Sequence, residues 1–207
     1  MSLNIPEPLL QLEANCGVFA VWLIIKQYQT HIDIADLIQL CRHDQEEGTF
    51  TIALAVALKK LGFEVSLYTD PDPNIDEKEQ QSYIDARRLQ IPIRAALTYT
   101  EIQQAFEAGK FVIVFYDTLQ GVGNQSLIYS IDEKEISFCD HFDVMSKTVF
   151  EQQRQAQGIC RQALVVEQGN ILIFKLASIL DNLPNLNVGN GMFQTTFLWC
   201  SNQVGEC

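Results

Sequence analysis

Cys16 stands between Asn15 and Gly17, at the mouth of an apolar run from Val18 to Ile25. A thiol attacks as thiolate, and a helix N-terminus favours thiolate through its free N–H groups and partial positive charge. Asn15 is a residue type that caps helices, so the run predicts a helix with Cys16 in its first turn. Gly17 has no Cβ, which lets another chain come close to the sulfur. The competing reading is a packing cysteine, because free cysteine is among the most buried residue types.

A nucleophilic cysteine needs a base. The chain has three histidines, His31, His43 and His141. His31 falls in a predicted turn. His43 closes the helix that follows, where a cation is favoured and a solvated ring is expected. His141 directly follows Asp140 at the end of a predicted strand, so it can approach a cleft; the alternative is a loop histidine in water.

The elements that would position these groups are legible in the pattern. Val18 to Ile25 is apolar on every face, as in a helix buried all round. IDIADLIQLC predicts a second helix, with Asp33 as cap. TIALAVALKKLG predicts a third, stopped by Gly62. FEVSLYT alternates as a strand does. PDPNIDEKEQQ reads as an acidic loop and SYIDARRLQ as a short helix. TYTEIQQAFEAG carries a capping box, Thr98 with Glu101. KFVIVFYD is a continuous apolar strand, and QSLIYSI with EISFCD forms a hairpin. SKTVFEQQRQAQG predicts a helix, and RQALVVE with NILIFK a further hairpin across Gln168-Gly169. Helices first and antiparallel strands later predict an α+β fold, N-terminal helices packed on a mostly antiparallel sheet.

The chain has 207 residues and is 47% hydrophobic, enough for a core in a domain of ordinary size. Its formal net charge of −12 argues against nucleic acid and anionic membrane as partners, which an acidic surface repels. No run reaches the roughly 18 apolar residues of a spanning helix. The first residues show no basic segment followed by an apolar one, so no secretory signal is expected. The six cysteines form no CxxC pair and no zinc-ligand spacing with histidine. They are expected as free thiols in the cytoplasm, without metal or cofactor.

The segment QLEANCGVFAVWLIIKQY resembles the nucleophile segment of the papain-like cysteine peptidase superfamily, in particular the C39-like peptidases. There, glutamine precedes a cysteine-glycine pair at the start of a long buried helix. TIALAVALKKLGFEVSLYT, FVIVFYDTLQGVGNQSLIYSID, ISFCD and TVFEQQRQAQGICRQALVV resemble, in order, later elements of the C39-related family labelled guanylyl cyclase domain-containing. The similarity spans Gln11 to Val166. The resemblance implies a C39-like papain-fold domain over residues 1–167, with residues 168–207 as a C-terminal strand and irregular apolar extension packed on it.

What the resemblance implies about the site is specific. Cys16 would be the nucleophile, Asp140 the residue that orients the base, and Gln11 the oxyanion donor. Gln11 lies one residue closer to the cysteine than in most relatives, and its alternative is a surface glutamine. The family's histidine falls on Asn124, or on Gln125 after a one-residue slip, and neither side chain accepts a proton near neutral pH. His141 is the substitute base at hand. A nucleotide-cyclase activity is not expected, because no glycine-rich phosphate loop is present and Arg87-Arg88 read as a solvated helix face. Two readings follow: a cysteine peptidase or amidase with an altered triad, or an inactive relative whose cleft binds a peptide or protein.

Overall fold

A computed structural model describes residues 4–28, 32–118, 121–140 and 144–169. His31, His141, Cys200, Cys207 and the predicted strand at 170–175 lie outside the described residues, as does nearly all of the predicted extension at 168–207.

The order is α1 (Glu7–Leu10), α2 (Cys16–Gln27), α3 (Ile34–Leu40), α4 (Thr51–Lys60), β1 (Glu64–Thr69), α5 (Glu77–Arg88), β2 (Ile93–Ala95), α6 (Tyr99–Glu107), β3 (Phe111–Asp117), β4 (Gly123–Ile131), β5 (Glu135–Phe138), β6 (Val144–Ser146), α7 (Lys147–Arg154) and β7 (Ala163–Glu167). The strands form one seven-stranded sheet in the order β2-β1-β7-β3-β4-β5-β6. Every pairing is antiparallel except β1 with β2. The fold is α+β, as the element order predicts.

Alternation along the strands divides the core. Val65, Leu67, Ile113, Leu127, Leu164 and Val166 face α2, α3 and α4. Val112, Val114, Tyr116, Ile128 and Phe138 face the other way, toward Tyr99 and Ile102 of α6 and Phe150 of α7. Helices therefore cover both faces, the N-terminal set on one and α6 with α7 on the other. Helix α2 is wedged between the sheet and its neighbouring helices, which is why Val18, Val21 and Ile24 are fully buried.

The caps of α3 and α6 match expectation. Asp33 accepts from the Ala35 N–H, and Thr98 and Glu101 close a complete capping box. Helix α5 begins earlier than SYIDARRLQ suggests, because Asp76 caps it by accepting from the Lys78 N–H and turns half of the acidic loop into helix. Strands β2 and β6 are three residues each, too short for alternation to announce them. Both edges of β7 are paired, one with β1 and the other with β3.

Two polar clasps hold the segments that later frame a cleft. Arg154 is completely buried and donates to the carbonyls of Leu97 and Arg161 at 3.1 and 2.7 Å. Arg161 reaches Asp70 through two hydrogen bonds of 2.6 and 2.8 Å. Together they tie the turn between α7 and β7 to the end of β1. Lys78 bridges Asp44 and Glu47 at 3.0 and 3.1 Å, tying α5 to the small bridged turn from Asp44 to Gly48.

Candidate active-site cleft

Cys16 opens α2, as predicted, but Asn15 does not cap it with its side chain. The Asn15 amide instead donates to the Leu9 carbonyl at 2.7 Å and ties the turn to α1. The turn is further set by Ala14, whose φ of 48° lies in the left-handed region. Gly48, at φ 74°, packs against that turn, and a Cβ there would come within 3.3 Å of the Ala14 carbonyl oxygen. The geometry that aims Cys16 is thus built by packing between two turns.

The sulfur accepts a hydrogen bond from the backbone N–H of Gln125 on β4, at 3.5 Å. The Gln125 side chain is buried, and its amide donates to the Thr49 carbonyl at 2.8 Å and the Thr51 hydroxyl at 3.0 Å. A Cβ on Gly17 would lie 2.2 Å from Gln125 Oε1. Gly17 is therefore glycine so that this glutamine can lie against the first turn of α2.

Asn124, not Gln125, meets the aspartate. Its Nδ2 donates to Asp140 Oδ2 at 3.3 Å and lies 3.0 Å from both Tyr116 Oη and Ser126 Oγ. Ser126 also donates to Asp140 Oδ2, at 2.8 Å. An amide facing a carboxylate must present its NH2 group, since its carbonyl oxygen would be repelled. Ser126 is two residues along the strand from Asn124, so period-two alternation alone places it on the same face. Tyr116 joins through the pairing of β3 with β4, which sets Tyr116 opposite Asn124 and which no local pattern reveals.

Cys16, Asn124 and Gln125 line one cleft of about 890 Å³. Gly48 to Thr51, Phe115, Val122, Gly123, Gln157 and Cys160 also line it. Gln11 does not: it sits at the end of α1, exposed, with its amide on the Glu7 carboxylate at 3.0 Å. His43 is not the solvated helix-end ring expected from its position. It is half-buried, with Nδ1 3.1 Å from the Thr49 hydroxyl, and burial pushes its pKa down. It stands behind the cleft wall, since Thr49 lines the cleft and also receives the Gln125 amide.

Residues 9–84 match the model of the Peptidase C39 family. The matched span runs from the end of α1 into α5, so it includes Cys16 and stops short of Asn124 and Asp140. The chain also resembles the peptidase domain of Streptococcus ComA, described as a bi-functional ABC transporter involved in a quorum sensing pathway. That likeness has 19% identity and a TM-score of 0.43, over 73% of this chain and 89% of that domain. Comparison with curated proteins gives no match. The guanylyl cyclase domain-containing label receives no support from these findings.

The electrostatics of Cys16 run against the expectation from helix geometry. Burial pushes the Cys16 thiol up, and the nearby Asp140 carboxylate adds to the rise. The backbone N–H groups of Gln125 and Gly17 pull the other way without reversing it. The helix terminus is present, but the desolvation of a sulfur under β4 outweighs it. At neutral pH the group is a thiol. Among the described residues Cys16, Cys41, Cys139 and Cys160 are all free cysteines. No helix among them is long and apolar enough to cross a membrane.

Proposed function

We propose that this chain is a C39-like peptidase domain in which the ordinary cysteine–histidine–aspartate reaction is lost and the cleft serves to bind a peptide. The observation that carries this reading is the hydrogen bond from Asn124 to Asp140. The amide occupies the place where, by the resemblance, an imidazole would be oriented toward the cysteine, and an amide accepts no proton at neutral pH. A positioned acid–base group contributes about 10²–10⁴ in rate, and members of a triad act as a unit, so this one replacement is enough to silence hydrolysis. The raised thiol of Cys16 points the same way, because without a base the sulfur stays protonated. What remains is a cleft of ligand size with backbone and amide groups along it.

The second reading, a cysteine peptidase or amidase, rests on His141, which is adjacent to Asp140 in the chain. One experiment separates the two. The protein is incubated with a diverse peptide mixture at pH 6 to 9, beside Cys16→Ser and His141→Ala, and products are read by mass spectrometry. The binding reading expects no product beyond that of Cys16→Ser. Cleavage that disappears in both variants would replace it with the hydrolase reading.

A further inference from the structure

Strand β2 is the outermost strand of the sheet on one side, with β1 as its neighbour. The Leu67 N–H donates to the Pro92 carbonyl, and Leu67 is in register with Ile93. In a parallel pair that register turns the backbone of Arg94 toward β1 and the backbone of Ile93 and Ala95 away from it. Neither Ile93 nor Ala95 makes a backbone hydrogen bond beyond the sheet among the described residues. Side chains alternate across the same strand. Ile93 shares the face of Leu67, which the N-terminal helices cover and where α5 packs against α4. Arg94 stands on the opposite face with Tyr68, to whose hydroxyl it donates at 3.2 Å.

Beside Ile93 lies a groove of about 690 Å³ between α5 and the loop after β1. Gln80, Tyr83, Ile84 and Arg87 line it at helical spacing, so one stripe of α5 faces it. Seven large hydrophobic residues are exposed among the described residues, and three of them, Ile75, Ile84 and Ile93, meet in this groove. Scattered singly they would need no explanation, but gathered beside an open strand edge they mark a contact surface. Charge sets the place apart as well. The chain has six arginines. Arg42, Arg88, Arg154 and Arg161 are in ion pairs. Arg87 and Arg94 make none among the described residues. One lines the groove and the other stands on the far face of β2, so the edge has an unpaired guanidinium on each side. Of the acids in the groove wall, Asp70 is held by Arg161, and Asp72 also lines the Cys16 cleft, which Arg87 does not.

We infer that the β2 edge is a docking strip for an extended segment of another protein in which apolar and acidic residues alternate. Added beside β2, such a segment bonds its main chain to Ile93 and Ala95. Its apolar side chains enter the groove, its carboxylates meet Arg94 on the other face, and a flanking acid reaches Arg87. The main-chain bonds supply affinity and the alternating side chains supply the choice of partner. A second copy of this chain fits poorly. Arg94 is the middle residue of β2, so two copies joined edge to edge would oppose Arg94 to Arg94, and like charges directly opposite repel. Residues 168–207 hold only Asp181 and Glu206 as acids, and these are far apart. With a net charge of −12 the rest of the surface repels an acidic segment, which confines it to this strip. The strip does not include Cys16, so the inference stands apart from the reading of the cleft.

The test uses the full chain and three fluorescein-labelled octapeptides: valine alternating with glutamate, valine alternating with glutamine, and four valines followed by four glutamates. Binding is read by anisotropy at about 50 and about 300 mM salt. The alternating glutamate peptide is expected to bind about tenfold tighter than either of the others, with the margin over glutamine shrinking at high salt. The double variant Arg87→Gln, Arg94→Gln should remove most of that margin, while Lys110→Gln, Lys134→Gln, the same charge change elsewhere, should keep it. Ile93→Pro deletes an outward N–H and no bond to β1, so the variant should melt normally and bind about tenfold more weakly. Amide exchange followed by NMR needs no variant. The Ile93 and Ala95 amides should exchange fast in the free protein and slowly once the glutamate peptide is added. Equal binding of the alternating and block peptides would reduce the effect to charge and overturn the inference, as would no binding or equal loss in both double variants. Slow exchange without peptide would also overturn it. If that slowing depends on protein concentration, a second copy holds the edge, and if it does not, the chain's own residues do.

Discussion

Asn124 and Asp140, on β4 and just after β5, are joined by an amide-to-carboxylate hydrogen bond of 3.3 Å, and Asn124 lines the same cleft as Cys16. The bond has the polarity that an imidazole N–H would have toward the same oxygen. The same carboxylate oxygen also accepts from the Ser126 hydroxyl at 2.8 Å, and the amide that faces it does not take protons.

Replacing that amide by imidazole should restore a base. Asn124→His is expected to place a ring N–H on Asp140 and to raise Cys16-dependent cleavage of a peptide or activated ester by about 10²-fold or more. The iodoacetamide rate at Cys16 should rise with it, because an imidazolium beside the sulfur favours thiolate. Unchanged alkylation and no cleavage, in a variant that melts normally, would mean that position 124 does not address the sulfur.

Cys16 itself should be slow to alkylate. Its thiol is pushed up by burial first and by the Asp140 carboxylate to a smaller degree. The pH profile of alkylation, followed by mass spectrometry, should therefore lie above that of a free model thiol. Asp140→Asn removes the negative charge and should move the profile down and raise the alkylation rate near pH 8. A profile below that of the model thiol would contradict the assignment.

Gly17→Ala sets two effects against each other. Alanine gains about 1 kcal/mol of helix propensity over glycine. Its Cβ would overlap Gln125 Oε1 and crowd Leu54, 3.1 Å away, so the glutamine must leave Thr49 and Thr51. Two lost hydrogen bonds in a buried setting cost about 2–3 kcal/mol. A net loss of about 1–2 kcal/mol in urea unfolding is expected. Adding Gln125→Ala should not cost the sum of the two single changes, since the clash is then relieved.

Glu79 makes stability depend on pH. Its carboxyl is raised to about 7 in the fold by burial and by Asp72 and Asp76. A raised acid is harmless below its unfolded value and costs stability as pH climbs through the folded value. The protein should therefore lose on the order of 1–3 kcal/mol between about pH 4.5 and pH 7.5 from this residue. Glu79→Gln should flatten that part of the profile in denaturant titrations. An identical slope in the variant would show that the carboxyl is not held up.

Much of the scaffold can be read from local pattern, because its causes are local. Asp33, Thr98 with Glu101, and the all-apolar face of Val18 to Ile25 act within a few residues of themselves, and they mark α3, α6 and α2. The placement of Cys16 at a helix start follows the same way. The order of helices and strands gave the α+β class, and the family resemblance marked Asn124 and Asp140 as candidates. The two short strands, the longer α5 and the occupied edges of β7 depend on pairing partners far along the chain, and local periodicity does not carry that information.

The state of the site is decided only in three dimensions. Asn15 next to Cys16 looks like a cap, yet its side chain turns to Leu9. A helix N-terminus predicts a lowered thiol, yet β4 covers the sulfur and desolvation prevails. His43 looks like a solvated helix end, yet folding places it behind Thr49. The acidic residues of 71–81 read as a solvated loop until Lys78 ties the start of α5 to Asp44 and Glu47. Residue types and spacing fix which groups are available and which helices form. Burial, charge and partner geometry are properties of neighbours brought together by the fold, and these determine whether sulfur and carboxylates act as chemistry or as recognition.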